Sequence, residues 1–225
     1  MTEVTEESGT TLMKVVEAIA ITPADARVVA GQYEKQARQA RPKASNEEIR
    51  TIVVNKIIGR YSRMAATSGG ATALAGVIPG IGTAVSMIGG GLADVSLCMK
   101  FQIDMTMCLA IAINNEITNE DAKHMSFVIA LAGSLEKFGS EAGKNTASKA
   151  ALRIASDYLK GATLTTIKGL FKQVGLQFTQ KAAVKAIPFG VGVAFGSTAN
   201  YFLTRYVGAV ARDVLLLETR REAAS

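Results

Sequence analysis

Val77-Ile78-Pro79-Gly80-Ile81-Gly82 lies inside Met64 to Ala93, thirty consecutive residues without a charged side chain. Ile187-Pro188-Phe189-Gly190-Val191-Gly192 lies in the same way inside Ala186 to Thr204, nineteen charge-free residues. A helix needs roughly 20 apolar residues to cross a hydrocarbon core, so both segments are about long enough. Their composition argues against simple spanning helices. Eight of the thirty residues in the first segment are glycine. An interior proline also removes a backbone hydrogen bond and clashes with the preceding turn. Each segment therefore reads as a Pro/Gly-broken apolar helix. Gly76 and Gly80, and again Gly192 and Gly196, are four apart and share a helix face, a spacing that lets another helix approach closely. Ile187, Phe189, Val191, Val193 and Phe195 alternate with a strand's period, but Pro188, Gly190 and Gly192 fill the gaps. With no partner strand nearby, this too reads as the start of a helix.

Helical signals extend outward from these segments. Thr22-Pro23 predicts an N-cap followed by proline at the first helical position, with the helix running to Ala40 and stopping before Pro42. Its Arg27, Lys35, Arg38 and Arg41 are expected on a solvated side. Ser45 and Glu48 form a capping box. Ile49, Ile52, Val53, Lys56, Ile57 and Arg60 then recur at helical spacing. The β-branched pairs Val53-Val54 and Ile57-Ile58 leave a strand as the minor alternative. A long helix is expected from Thr83 to Ile113, ended by Asn114-Asn115. Thr118 caps the next helix, with Glu120 and Asp121 in its first turn, as far as Leu131 or Gly133. Residues 134–145 read as a loop, followed by shorter basic amphipathic helices, the second glycine-rich segment and a C-terminal helix to Arg221. The sum is an all-α compact helical bundle, with residues 1–44 as an N-terminal helical extension and 45–225 as the main domain.

The net charge is +6, and it is unevenly placed. Residues 1–63 carry ten Lys/Arg against eight Asp/Glu, whereas residues 134–185 carry nine against three. A basic stretch beside apolar segments suits an anionic lipid surface. Tryptophan is absent and aromatic residues are 6% of the chain, which disfavours base stacking and hence nucleic acid as a partner. Cys98 and Cys108 are ten residues apart on one helical stretch. At 1.5 Å per residue that is about 15 Å, too far for a disulfide. Cysteine usage thus fits a reducing cytosol. The start, Met1-Thr2-Glu3-Val4-Thr5-Glu6-Glu7, is acidic and lacks the basic and apolar regions of a secretory signal.

Catalytic chemistry is sparse. Gly139, Gly143 and Lys144 approach a phosphate-binding loop, but three residues separate the glycines where four are needed, and Asn145 stands where Ser or Thr must follow the lysine. The Gly80-Ile81-Gly82 and Gly190-Val191-Gly192 elements lack the third glycine and the preceding strand of a dinucleotide site. His124 is the single histidine, with no second ligand or base close by in sequence, so neither a catalytic residue nor a metal nor a cofactor is expected.

The polar residues that stand out are Asp94, Lys100 and Asp104, which interrupt an otherwise apolar helix. Lys100 and Asp104 are spaced i, i+4 and can pair. Two outcomes are open: a polar stripe on an amphipathic helix, or a buried polar tie to a neighbour. Ionisable groups at membrane depth need partners, which argues against this helix spanning lipid alone. Lys168, Lys172, Lys181 and Lys185 belong to the basic stretch, interleaved with Ile167, Leu170, Phe171 and Phe178, a pattern suited to lying on a membrane surface or to the solvated face of a bundle.

Two longer strings of motif carry a family resemblance. One runs Gly70 to Gly76, Val77-Ile78-Pro79-Gly80-Ile81-Gly82, Leu92-Ala93-Asp94 and Met99-Lys100-Phe101-Gln102-Ile103-Asp104-Met105, then Ile113 to Asp121 and the apolar helix ending Leu131-Ala132-Gly133. The other is Ile187-Pro188-Phe189-Gly190-Val191-Gly192 with Ala199-Asn200-Tyr201 and Thr204. Over residues 60–215 this resembles the EcsC family of bacterial proteins and is similar to the related YcjF-type domain of unknown function. The resemblance implies a membrane-linked, non-enzymatic protein associated with secretion or transport machinery. It supplies no catalytic residues. The expectation is therefore a cytoplasmic protein, peripheral or integral at the inner membrane. Its contact residues would be Gly76, Pro79, Gly80, Gly82, Pro188, Gly192, Gly196, Lys168, Lys172, Lys181 and Lys185. Its partner would be a membrane surface or membrane protein complex, and a homo-oligomer is compatible. The alternatives are a soluble scaffold docking an acidic protein or nucleic acid, and a soluble bundle that inserts to form a pore.

Overall fold

The computed structural model describes residues 2–67, 90–139, 153, 167–174, 192–222 and 224. Over these residues the chain is an all-α bundle. Its helices are α1 (Thr2–Ile19), α2 (Pro23–Ala40), α3 (Asn46–Thr67), α4 (Gly90–Ile113), α5 (Asn119–Gly139) and α6 (Gly192–Glu222), with a further helical stretch at 167–174. The central parts of the two Pro/Gly segments, with Gly76, Pro79, Gly80, Gly82 and Pro188, lie outside the described residues, as do Lys181 and Lys185.

Local chemistry sets the helix ends. Thr22 is in extended backbone and its Oγ1 accepts from the Asp25 N–H at 3.1 Å, with Pro23 in the first turn. The Arg41 N–H returns to the Ala37 carbonyl at 2.9 Å, closing α2 ahead of Pro42. Ser45 and Glu48 make the reciprocal pair of a capping box, with Glu48 Oε2 accepting from Ser45 N at 2.7 Å and Ser45 Oγ accepting from Glu48 N at 3.2 Å. Thr118 repeats the Thr22 device, its Oγ1 accepting from Asp121 N at 3.1 Å. Each such cap satisfies a backbone donor that the helix itself cannot, and is worth about 1 kcal/mol.

Packing is organised around α4. This helix is apolar on nearly every side, and such a helix is stable in water only if neighbours cover all of it. α1, α2, α3, α5 and α6 all contact it. α2 approaches through small residues, Ala26, Ala30 and Ala37, all buried. α3 turns Ile49, Val53, Ile57 and Tyr61 inward, a helical stripe with no trace of the strand alternative. α6 packs against α3, α4 and α5 with Leu203, Val207, Val210, Ala211 and Val214. The stretch 167–174 buries Ile167, Leu170, Phe171 and Val174, and its Phe171 ring sits 6.1 Å from that of Phe127 in α5. α1 and α2, within residues 1–44, contribute Leu12, Val16, Ala26 and Ala30 to the same apolar cluster as α4.

One boundary differs from the sequence expectation. α5 does not stop at Leu131 or Gly133 but continues to Gly139, so residues 134–139 are helix and not loop. The reason is tertiary. Gly133 packs against α6, where a Cβ would meet Val207 Cγ2 at 3.5 Å and its backbone Cα at 3.7 Å. The Ser134 hydroxyl turns to Gln102 of α4, and the Tyr206 hydroxyl of α6 donates to Glu136. The glycine here serves close helix contact, not chain reversal.

Candidate functional site

The polar residues of α4 fall into two seams. Lys100, Asp104 and Cys108 follow one another at four-residue intervals, as do Cys98, Gln102 and Thr106. Each seam keeps one face, and the two are offset by two residues, about 200° around a helix that turns roughly 100° per residue. They therefore address opposite sides of the bundle.

The first seam holds the ion pair that the i, i+4 spacing predicts. Lys100 Nζ donates to Asp104 Oδ2, and both side chains are nearly closed off from solvent, at 10% and 4% exposed. The other carboxylate oxygen, Oδ1, accepts from the backbone N–H of Ile21 at 2.8 Å, in the link between α1 and α2. Asp104 is thus a buried tie between helices, the second of the two outcomes weighed from sequence. Burial raises the Asp104 carboxyl above its ordinary range, and the Lys100 ammonium and the Ile21 N–H oppose that shift. One turn further, Cys108 Sγ and the Tyr61 hydroxyl of α3 lie 3.6 Å apart. Burial pushes the Cys108 thiol up to about 12, and raises Tyr61 as well. A thiol in that state is protonated and inert as a nucleophile. Asp94 belongs to the first turns of α4, with its side chain outside the described residues.

The second seam faces α5 and α6. Gln102 Nε2 donates to Cys98 Sγ at 3.4 Å, and Gln102 Oε1 accepts from Ser134 Oγ of α5 at 2.7 Å. Thr106 Oγ1 donates back to the Gln102 carbonyl at 2.8 Å. Cys98 Sγ lies 4.0 Å from Thr204 Oγ1 of α6. A buried amide satisfied in this way fixes the register of α4 against its neighbours, because a slip would strand it.

The other residues singled out from sequence are dispersed. Gly192 and Gly196 lie in the first two turns of α6, on one face. Lys168 is exposed and Lys172 half-buried, four residues apart on the stretch whose opposite side enters the core. Of all the candidate residues, the structure brings only Lys100 and Asp104 into direct contact among the described residues.

Two features escaped sequence reading. Arg27, expected on a solvated face, reaches from α2 to the turn between α4 and α5. Its guanidinium donates to the Asn115 carbonyl at 3.0 Å, to the Ile117 carbonyl and to Asn119 Oδ1 at 3.3 Å. It thereby offsets the negative end of α4. Beside it is a cleft of about 250 Å³ between α2, α3 and the last turn of α4, lined by Arg27, Gly31, Glu34, Arg38 and Arg50 among others. No local signal in the sequence marks either feature, since both join residues some 10 to 90 positions apart. Among the described residues no group of three or more His, Cys, Asp or Glu is placed to hold a metal ion. Protein-family models, curated proteins and solved structures were all compared with the chain, and none matches it.

Proposed function

We propose that this chain is a non-enzymatic helical protein that associates with a bacterial inner membrane, or with a membrane protein complex there, in the manner of the EcsC family that its motifs resemble. One observation carries the division of roles. Val95–Ile113 of α4 is long and apolar enough to cross a bilayer, with mean hydropathy 1.4, yet 94% of it is enclosed by protein. It also carries the Lys100–Asp104 pair, which is satisfied inside the bundle. Its apolar surface is already used, so contact with lipid falls to the two charge-free segments around Pro79 and Pro188 and to the basic stretch with Lys168, Lys172, Lys181 and Lys185. The non-enzymatic part of the reading is supported by the single histidine and by the burial of both thiols.

Flotation with anionic and neutral vesicles tests the proposal. The expected result is recovery with anionic vesicles, weakened by salt because the basic stretch contributes. Recovery in the soluble fraction alone with both vesicle types would sink it. The enclosure of α4 equally favours a soluble scaffold that docks an acidic protein. That reading is distinguished by purification as a monodisperse species without detergent together with failure to float.

A further inference from the structure

We propose that the cleft between α2, α3 and the end of α4 is a binding site for a phosphate group, carried either by a soluble phosphate ester or by a lipid headgroup. The proposal stands apart from the membrane reading, since the cleft uses none of the residues invoked there. Three guanidinium groups, Arg27, Arg38 and Arg50, line the cleft against one carboxylate, Glu34, leaving two net positive charges. A phosphate monoester carries about −1.5 to −2 near neutrality, which matches that excess.

The three arginines differ in what they have left to offer. Arg27 is spent on the α4–α5 turn and forms a fixed wall. Arg38 is pre-positioned: its Nε and Nη2 donate to Glu34 Oε1 at 2.9 and 2.8 Å, and Nη2 also donates to Asn46 Oδ1 at 3.1 Å. That leaves its Nη1 as a donor held in place. Arg50, half-buried one turn into α3, has no hydrogen bond or ion pair with any described residue. Its guanidinium nitrogens are open to solvent and not committed to a protein partner, so an arriving anion can take them in bidentate form.

Size narrows the ligand. At about 30 Å³ per water, the cleft holds roughly eight waters. That is enough for a phosphate with a small organic stub, and below the roughly 300 Å³ at which pockets for drug-sized ligands begin. Gly31 borders this open space: a Cβ there would meet nothing within 4 Å.

The test is calorimetric titration of the full-length protein with inorganic phosphate and with glycerol 3-phosphate at matched ionic strength. In parallel, the protein is co-sedimented with phosphatidylcholine vesicles with and without phosphatidic acid. Arg50→Gln is expected to weaken binding about tenfold or more, the loss of one charge-assisted pair. Gly31→Leu fills the cleft from an open helical position and is expected to weaken binding as much with no loss of thermal midpoint. This second variant keeps the test decisive if Arg50→Gln folds poorly. Arg205→Gln, an exposed cation on α6, is the control and should leave phosphate binding unchanged. Binding of the soluble phosphates that depends on Arg50 and Gly31 identifies a soluble ester. The same dependence seen with phosphatidic acid vesicles alone identifies a headgroup. Absence of binding in both arms overturns the proposal, and so does equal weakening by Arg205→Gln.

Discussion

Replacing Asp104 by leucine should be among the most damaging single changes in this protein. Asp104 is 3% exposed and serves two partners, the Lys100 ammonium and the Ile21 N–H. Its removal leaves an unpaired cation inside the bundle, a loss of about 3–5 kcal/mol where one member of a buried pair is deleted. The orphaned Ile21 N–H contributes part of that. Whole domains are stable by only about 5–15 kcal/mol, so the loss is a large share. For a chain of this size each kcal/mol moves the thermal midpoint by about 2–4 °C, which gives a fall of roughly 6–20 °C. Lys100→Met/Asp104→Leu removes both charges and should recover to within about 2 kcal/mol of wild type, the remainder being the unsatisfied N–H. Urea melts of the two singles and the double close the cycle. An Asp104→Leu loss under about 1 kcal/mol, or a double variant no more stable than the worse single, would refute the argument that this pair is desolvated. The same residue gives a signed pH effect. Burial raises its folded pKa above the ordinary carboxylate range, so the native state holds that proton more tightly than the unfolded chain. Its contribution to stability is present below the unfolded pKa and lost as pH rises through the folded one. Relative to Asp104→Asn, wild type should therefore gain urea resistance as the pH is lowered from neutrality towards about 4.

Other outcomes follow from single contacts. A Cβ at Gly208 would come within 3.0 Å of Ile58 Cγ1 and Cγ2 and 3.1 Å of Met105 Sδ. Gly208→Val should therefore cost about 1–3 kcal/mol in urea melts. Gly31→Ala, in open space on α2, should add about 0.5–1 kcal/mol from helix propensity alone. Arg27→Met removes three bonds to the α4–α5 turn and should cost about 1–2 kcal/mol, with faster amide exchange over residues 114–118. Cys98 and Cys108 are fully buried, so an aromatic disulfide reagent should label neither until urea unfolds the chain.

Local signals along the chain carried most of the architecture. Thr22-Pro23, the Ser45–Glu48 box, Thr118 with Asp121 and the Asn114-Asn115 stop all mark helix ends where the structure has them, because capping is a contact between residues two to four apart. The Lys100–Asp104 pair was legible for the same reason. Gly133 was not: a glycine in a helix looks the same in sequence whether it ends the helix or admits a neighbour, and the neighbour, Val207, is 74 positions away.

Helical periodicity, the caps, and the placing of Lys100 and Asp104 on one face of an apolar helix are all written in short-range spacing along the chain. Tertiary structure alone decided what lies against that face. A helix apolar on nearly all sides has only a weak hydrophobic phase, so its apolar residues do not distinguish lipid from protein as its surroundings. Five other helices around α4, the Ile21 N–H on Asp104 and the Ser134 hydroxyl on Gln102 supply the answer for the described bundle. The arginine cleft has the same origin. Arg27, Arg38 and Arg50 are ordinary surface cations in the linear chain, and become a site only where α2, α3 and the end of α4 meet.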